Sequence, residues 1–208
     1  MTQSKLTEII VILDRSGSMS TIKDDMEGGL WSMIQEQHGL PGKCRISLYR
    51  FDDKFEVAFE GKDSGEINQE DCRLVPRGST ALNDAIVKSL HRAESRILAE
   101  DEDKRPDLVV VSVITDGHEN ASTEVKKTDD VRAAISRATD KFGWKFAYLA
   151  ADDKGFDEGI AYTAGLRDAS VGAYSAGNAS EAHARYSSQV KILRSNMSGR
   201  IDVSKPKK

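Results

Sequence analysis

The residues of this chain best suited to chemistry are oxygen donors, and they fall in three places. Asp14, Ser16 and Ser18 alternate through the run "DRSGS". Thr80 stands in "GSTALNDAI", and Asp116 stands in "TDG". Gly17 lets the first run curl, so both serine hydroxyls can turn towards the Asp14 carboxylate. Taken alone, that run is equally well explained as an Asx turn followed by a helix cap. Taken with Thr80 and Asp116, it offers two carboxylates and three hydroxyls, an all-oxygen set of low charge. A hard divalent cation binds such a set. Mg²⁺ takes six oxygens in a near-octahedral shell at about 2.1 Å and commonly keeps waters among them. Mg²⁺ is therefore the expected cofactor, with Mn²⁺ or Ca²⁺ as alternatives.

Separate elements must deliver these residues to one place. "TEIIVIL", Thr7 to Leu13, is a run of apolar and β-branched residues that stops at Asp14. This is the pattern of a strand buried on both faces of a parallel sheet. "PDLVVVSVIT" repeats the pattern and stops at Asp116. Between them, Ile22, Met26, Leu30, Met33 and Ile34 make the apolar stripe of a helix over 22–37, closed by "GLPGK". "CRISLYRF" and "KFEVAFE" read as an antiparallel hairpin turning at Asp52-Asp53, at a sheet edge. A polar connection over 61–78, with a short helix near Glu66–Glu70, leads to a helix that ends near Glu100. Ser79 or Thr80 is expected to cap that helix. Beyond Asp116 follow a helix over 128–142, a strand over 144–149, a short helix, the edge strand "ASVGAY", a helix over 178–193 and a basic tail.

The order β-α-β-β-α-β-α-β-α-β-α predicts an α/β fold. It should be a three-layer, open, mostly parallel sheet with helices on both faces and one antiparallel edge strand. Residues 1–198 are expected to form a single domain and 199–208 a short tail. Ligands of such sheets bind outside the C-terminal ends of the strands, where Asp14 and Asp116 both lie.

"DRSGS", "GSTALNDAI" and "ITDGHEN" resemble the metal-ion-dependent adhesion site of von Willebrand factor A domains. That pattern is Asp-x-Ser-x-Ser after the first strand, a Thr opening a later helix and an Asp-Gly after the fourth strand. The resemblance extends to the strand and helix order of nearly the whole chain, and is closest to small bacterial or phage-like cytosolic members. It implies that Ser16, Ser18 and Thr80 touch the ion directly, and that Asp14 and Asp116 bind it directly or through water. It also implies one open coordination position, filled by an Asp or Glu of a partner protein. A ring ATPase or a stress-response complex is the kind of assembly such members join. Arg15 and Arg77, with His118 and Glu119 on the Asp116 side, are expected on the partner-binding rim. Ordinary solvated side chains are the competing reading for all four.

Other classes are disfavoured by what the chain of 208 residues carries. A formal net charge of −4 argues against a general nucleic-acid binder. Two cysteines, Cys44 and Cys72, make neither a disulfide framework nor a four-cysteine zinc site. Neither a membrane-length apolar run nor a signal-like start is evident, so a cytoplasmic location without a membrane partner is expected. The first strand is followed by "DRSGSM" and not by GxGxxG, and no GxxxxGK[ST] loop occurs. A phosphotransferase with an aspartate nucleophile would place a second Asp at Ser16. His118 and Glu119 are the candidate general bases of a hydrolase, against a plain surface-loop pair. The expected function is a divalent-metal-dependent protein–protein interaction module with no catalytic residues. A metal-assisted hydrolase or phosphotransferase, or a structural subunit of a larger assembly, are the alternatives.

Overall fold

The computed structural model of the chain describes residues 5–151, 153–173 and 179–196. Its centre is strand β1 (Leu6–Asp14), buried at every position from Thr7 onward. Parallel neighbours lie on both sides, β2 (Lys43–Phe51) and β4 (Leu108–Thr115). Beyond β2 runs the antiparallel edge strand β3 (Phe55–Asp63), and beyond β4 run β5 (Lys145–Ala150) and β6 (Ala169–Ala173), both parallel. The sheet order is β3-β2-β1-β4-β5-β6. The chain leaves β1 towards one side and returns to its other side at β4, so a crevice opens over the C-terminal ends of these two strands.

The alternation of a strand divides β1 between two cores. Ile9, Val11 and Leu13 pack with Met26, Leu30 and Ile34 of α1 (Lys23–His38) and with Tyr186, Val190 and Leu193 of α5 (Ala179–Asn196). Ile10 and Ile12 face the other layer: Ile86 and Leu90 of α2 (Leu82–Ala99), Val131 and Ile135 of α3 (Thr128–Ser136), and Tyr162 of α4 (Asp153–Thr163). Each fully buried side chain of this size contributes roughly 2 kcal/mol. This is the α/β architecture expected from the sequence.

Local boundaries differ from the sequence reading. β3 runs on to Asp63 through irregular pairing with β2. The short helix expected near Glu66–Glu70 is two 3₁₀ turns, Ser64–Glu66 and Gln69–Cys72. The helix expected over 128–142 changes to a π turn at Arg137–Lys141. Asn178, Tyr174 and the tail over 199–208 lie outside the described residues.

One buried charge is built into the central strand. Glu8 is fully buried and accepts from Arg45 Nε at 2.7 Å, from the Ser47 hydroxyl at 2.9 Å and from Arg96. Both arginines also reach Glu100, at 3.0 and 3.1 Å. The network fastens the C-terminal end of α2 to β1 and β2. Glu8→Gln would leave the two guanidinium groups with Glu100 as their remaining shared anion and remove charge-assisted hydrogen bonds from the buried side, so urea unfolding should show a loss of about 2 kcal/mol. A loss under about 0.5 kcal/mol, the size of an ordinary surface substitution, would mean that the arginines find other partners at no cost.

Candidate metal centre

Asp14 ends β1 and is fully buried. Its Oδ1 accepts the Ser16 N–H at 2.6 Å, and its Oδ2 accepts the hydroxyl of Thr115, the last residue of β4, at 2.6 Å. Ser16 and Ser18 stand with their hydroxyl oxygens 3.1 Å apart, and the Ser18 hydroxyl donates to Asp116 Oδ1 at 2.7 Å. A Cβ added to Gly117 would lie 3.6 Å from Thr80 Oγ1 and 3.8 Å from Ser18 Oγ. The three separate segments therefore meet, and Asp14, Ser16, Ser18, Thr80 and Asp116 share one crevice.

Thr80 reaches it by a route the sequence did not reveal. α2 begins after Ala81, and no side chain of the preceding residues caps it. The caps come from the loop after β4: Glu119 Oε2 accepts the Asn83 N–H at 2.7 Å, and Ser122 Oγ accepts the Asp84 N–H at 3.0 Å. Asp84 answers by accepting the N–H groups of Thr123, Glu124 and Val125, at 3.0, 3.2 and 2.7 Å. The cap expected from Ser79 or Thr80 is thus made from outside, and the Thr80 hydroxyl stays beside Gly117. The same loop grips the Thr80 backbone. Asn120 Oδ1 accepts its N–H at 2.9 Å, and its carbonyl accepts from the Asn120 and Ala121 N–H groups.

The rim differs from the one expected. Arg15 is only 5% exposed and turns inward, pairing with Asp52 at 3.0 Å and Glu56 at 2.7 Å. Glu119 also faces inward. Its carboxylate accepts the Asn83, Ala121 and Ser122 N–H groups and the Ser122 hydroxyl. Arg77 keeps a half-exposed side chain with Nε on Asp52 at 2.7 Å, and His118 is half-buried. Arg77 and His118 therefore remain as surface groups beside the crevice.

Electrostatics separate Asp14 from a second buried carboxylate close by. Burial raises the pKa of Asp52, yet hydrogen bonds from Arg77 and the Lys54 N–H, with the charge of Arg15, hold it below the ordinary carboxylate range. Burial raises that of Asp14 to about 6, against hydrogen bonds from Thr115 and Ser16, and the like charge of Asp116 raises it further. Two carboxylates and three hydroxyls gathered this way have the chemistry of a hard-cation shell. Among the described residues, no three of His, Cys, Asp and Glu group as metal ligands. The candidate set consists of two carboxylates and three hydroxyls.

No protein-family model matches the sequence, and no curated protein matches it. Solved structures do match the fold. The von Willebrand factor type A protein from Catenulispora acidiphila has a TM-score of 0.64 at 15% identity, over 90% of this chain and 43% of that one. The vWF domain of the type V pili tip protein Mfa5 from Porphyromonas gingivalis gives 0.63 at 11% identity, over 92% and 97%. The D319A mutant of the PilB minor pilin from Streptococcus sanguinis gives 0.66 at 11% identity, over 96% and 64%. The chain spans about half the length of some of these proteins, 43% for that from Catenulispora. At such identities the likeness carries the fold alone: this chain has the fold of von Willebrand factor A domains. Among the described residues, no helix is long and apolar enough to cross a membrane.

The raised value of Asp14 has a pH consequence for the metal-free protein. A folded pKa near 6, above the ordinary 3.8, means that the native state holds this proton more tightly than the unfolded chain. The stabilisation is complete below the unfolded value and is lost as pH rises through about 6. In EDTA, wild type should therefore lose roughly 1 kcal/mol between pH 5 and pH 8 relative to Asp14→Asn. Parallel stability profiles for the two proteins would contradict this placement of the charge.

Proposed function

We propose that this chain is a protein-interaction module that holds a divalent cation with Asp14, Ser16, Ser18, Thr80 and Asp116. Mg²⁺ is the first candidate, with Mn²⁺ and Ca²⁺ as alternatives. The observation that carries this reading is the fully buried Asp14 carboxylate, set beside Asp116 and among hydroxyls where Asp52 has two arginines. A cation held there supplies a positive centre to which an Asp or Glu of a partner protein adds.

The chain's own residues have definite parts in this. Thr115 and the Ser16 N–H fix the Asp14 carboxylate from either side. A hydroxyl keeps two acceptor lone pairs beside its proton, so Ser18 can go on donating to Asp116 while offering oxygen to a cation. Because most of the direct donors are neutral hydroxyls, the field at the mouth of the crevice stays positive and favours a carboxylate over a neutral amide. Arg77 at the rim adds to that field. His118 is the other rim group in the proposal.

A binding role is favoured over hydrolysis or phosphoryl transfer because Glu119, a candidate base, is engaged in capping α2. Cys44 and Cys72 are free and buried, which fits the reducing cytoplasm. A ring ATPase or a stress-response complex belongs to the same proposal as the partner, with neither membrane nor nucleic acid involved. A structural subunit of a larger assembly is the second reading, favoured by the pilin and the pili tip protein among the matching folds.

The test is titration of EDTA-treated protein with Mg²⁺ or Mn²⁺ to saturation, followed by thermal unfolding. An ion at 100 times its Kd should stabilise the fold by about 2.7 kcal/mol. Asp14→Ala and Asp116→Ala should abolish that gain and metal-dependent capture of the partner, yet stay folded. If both variants unfolded without metal, the carboxylates would be structural caps and the proposal would fail.

A further inference from the structure

β1 and β4 are neighbours in the sheet, so their pairing brings Asp14 and Asp116 together. Thr80 has no such support, because residues 73–81 form neither helix nor strand. Its position depends on what the segment touches. One flank is held by the loop after β4. On the other flank the segment lies across the loop after β1 and the turn between β2 and β3. The Arg77 N–H donates to the Arg15 carbonyl at 2.8 Å, the Gly17 N–H to the Gly78 carbonyl at 3.2 Å, and the Ala81 N–H to the Asp52 carbonyl at 2.9 Å. Gly78 adopts φ +67°, and a Cβ there would lie 2.3 Å from Asp53 Oδ1, so the segment passes as close to the turn as glycine permits.

One buried carboxylate lies at the junction of the three segments. Asp52 Oδ2 stands 3.0 Å from Arg15 Nε and 2.7 Å from Arg77 Nε, and Asp52 Oδ1 accepts the Lys54 N–H at 2.7 Å. Its side chain is fully buried. Arg15 lies between Asp14 and Ser16, and Arg77 lies three residues before Thr80. A single oxygen thus joins one ligand-bearing loop to the other. Without its charge, the Arg15 and Arg77 side chains would lose the anion they share, leaving Glu56 on Arg15 and the backbone bonds to hold the two segments together.

We propose that Asp52 is a positioning residue of the metal centre: by pairing Arg15 with Arg77 it holds the Thr80 segment against the Asp14–Ser18 loop and so sets the affinity for a divalent cation. This rests on the metal-binding reading given above. Asp52 itself meets arginines and backbone, and none of the five proposed ligands through its side chain. Its effect therefore passes through the loops it joins, as outer-sphere partners act on a metal site.

The experiment measures Mn²⁺ binding by calorimetry, and amide hydrogen exchange in EDTA, on folded wild type, Asp52→Asn and Arg77→Gln. Both variants should bind Mn²⁺ about tenfold or more weakly, and their Gly17 and Ala81 amides should exchange faster than in wild type. Arg77 is half exposed, so its variant decides the matter if Asp52→Asn does not fold. Wild-type affinity in folded variants would overturn the inference, because Asp52 would then only stabilise the fold. Weaker binding with unchanged exchange would overturn it too, because charge alone and not loop placement would be acting. A wild type that binds no Mn²⁺ overturns the metal reading and the positioning role with it, while faster exchange in the variants would still identify the clamp.

Discussion

The candidate site depends on the burial of the Asp14 carboxylate at the end of the central strand. Taking a charge out of water is costly unless it is paired or hydrogen-bonded. Other buried carboxylates of this chain meet that cost in recognisable ways. Glu8 has two arginines, Asp52 has two arginines, and Asp84 has three backbone N–H groups. Asp14 meets one N–H and the hydroxyls of Thr115 and Ser16, with no cation among these partners and the like charge of Asp116 beside it. Such an arrangement leaves a buried anion without a neutralising charge, which is the ground for proposing a cation there.

The surrounding fold serves that arrangement at successive distances. Parallel pairing of β1 with β4 sets the Asp14 and Thr115 side chains together. The Glu8 network anchors α2 to the sheet. Reciprocal capping between the α2 N-terminus and the loop after β4 then locks Thr80 near Asp116, since each partner satisfies backbone donors of the other. Helix ends leave orphan N–H groups, and here their capping also assembles the site.

The sheet, and the strand ends that carry Asp14 and Asp116, were legible in the sequence because their signals are local. Long β-branched runs that stop at an aspartate mark buried parallel strands with a polar end. Alternating Asp, Ser and Ser around a glycine marks a loop that curls on itself. What could not be read depends on contacts across long separations. Glu119 caps Asn83 from 36 residues away, so no spacing announces it, and the adjacent Ser79 and Thr80 were the natural local choice. Arg15 looked like a rim residue because arginines flanking a loop are ordinarily solvated. Its burial follows from Asp52 and Glu56, which reach it from the β2–β3 hairpin. Asp52-Asp53 read only as a turn, since nothing in two adjacent aspartates tells which one is buried between arginines.

The central claim is that these three segments form one divalent-cation site. Paramagnetic broadening of amide signals by Mn²⁺ tests it most directly, because the effect falls off steeply with distance from the ion. At substoichiometric Mn²⁺, the amides of Ser16, Ser18, Thr80 and Gly117 should broaden first and together. Broadening centred instead on Asp24, Asp25 and Glu36, which line the groove between α1 and α5, or none at millimolar Mn²⁺, would contradict the account.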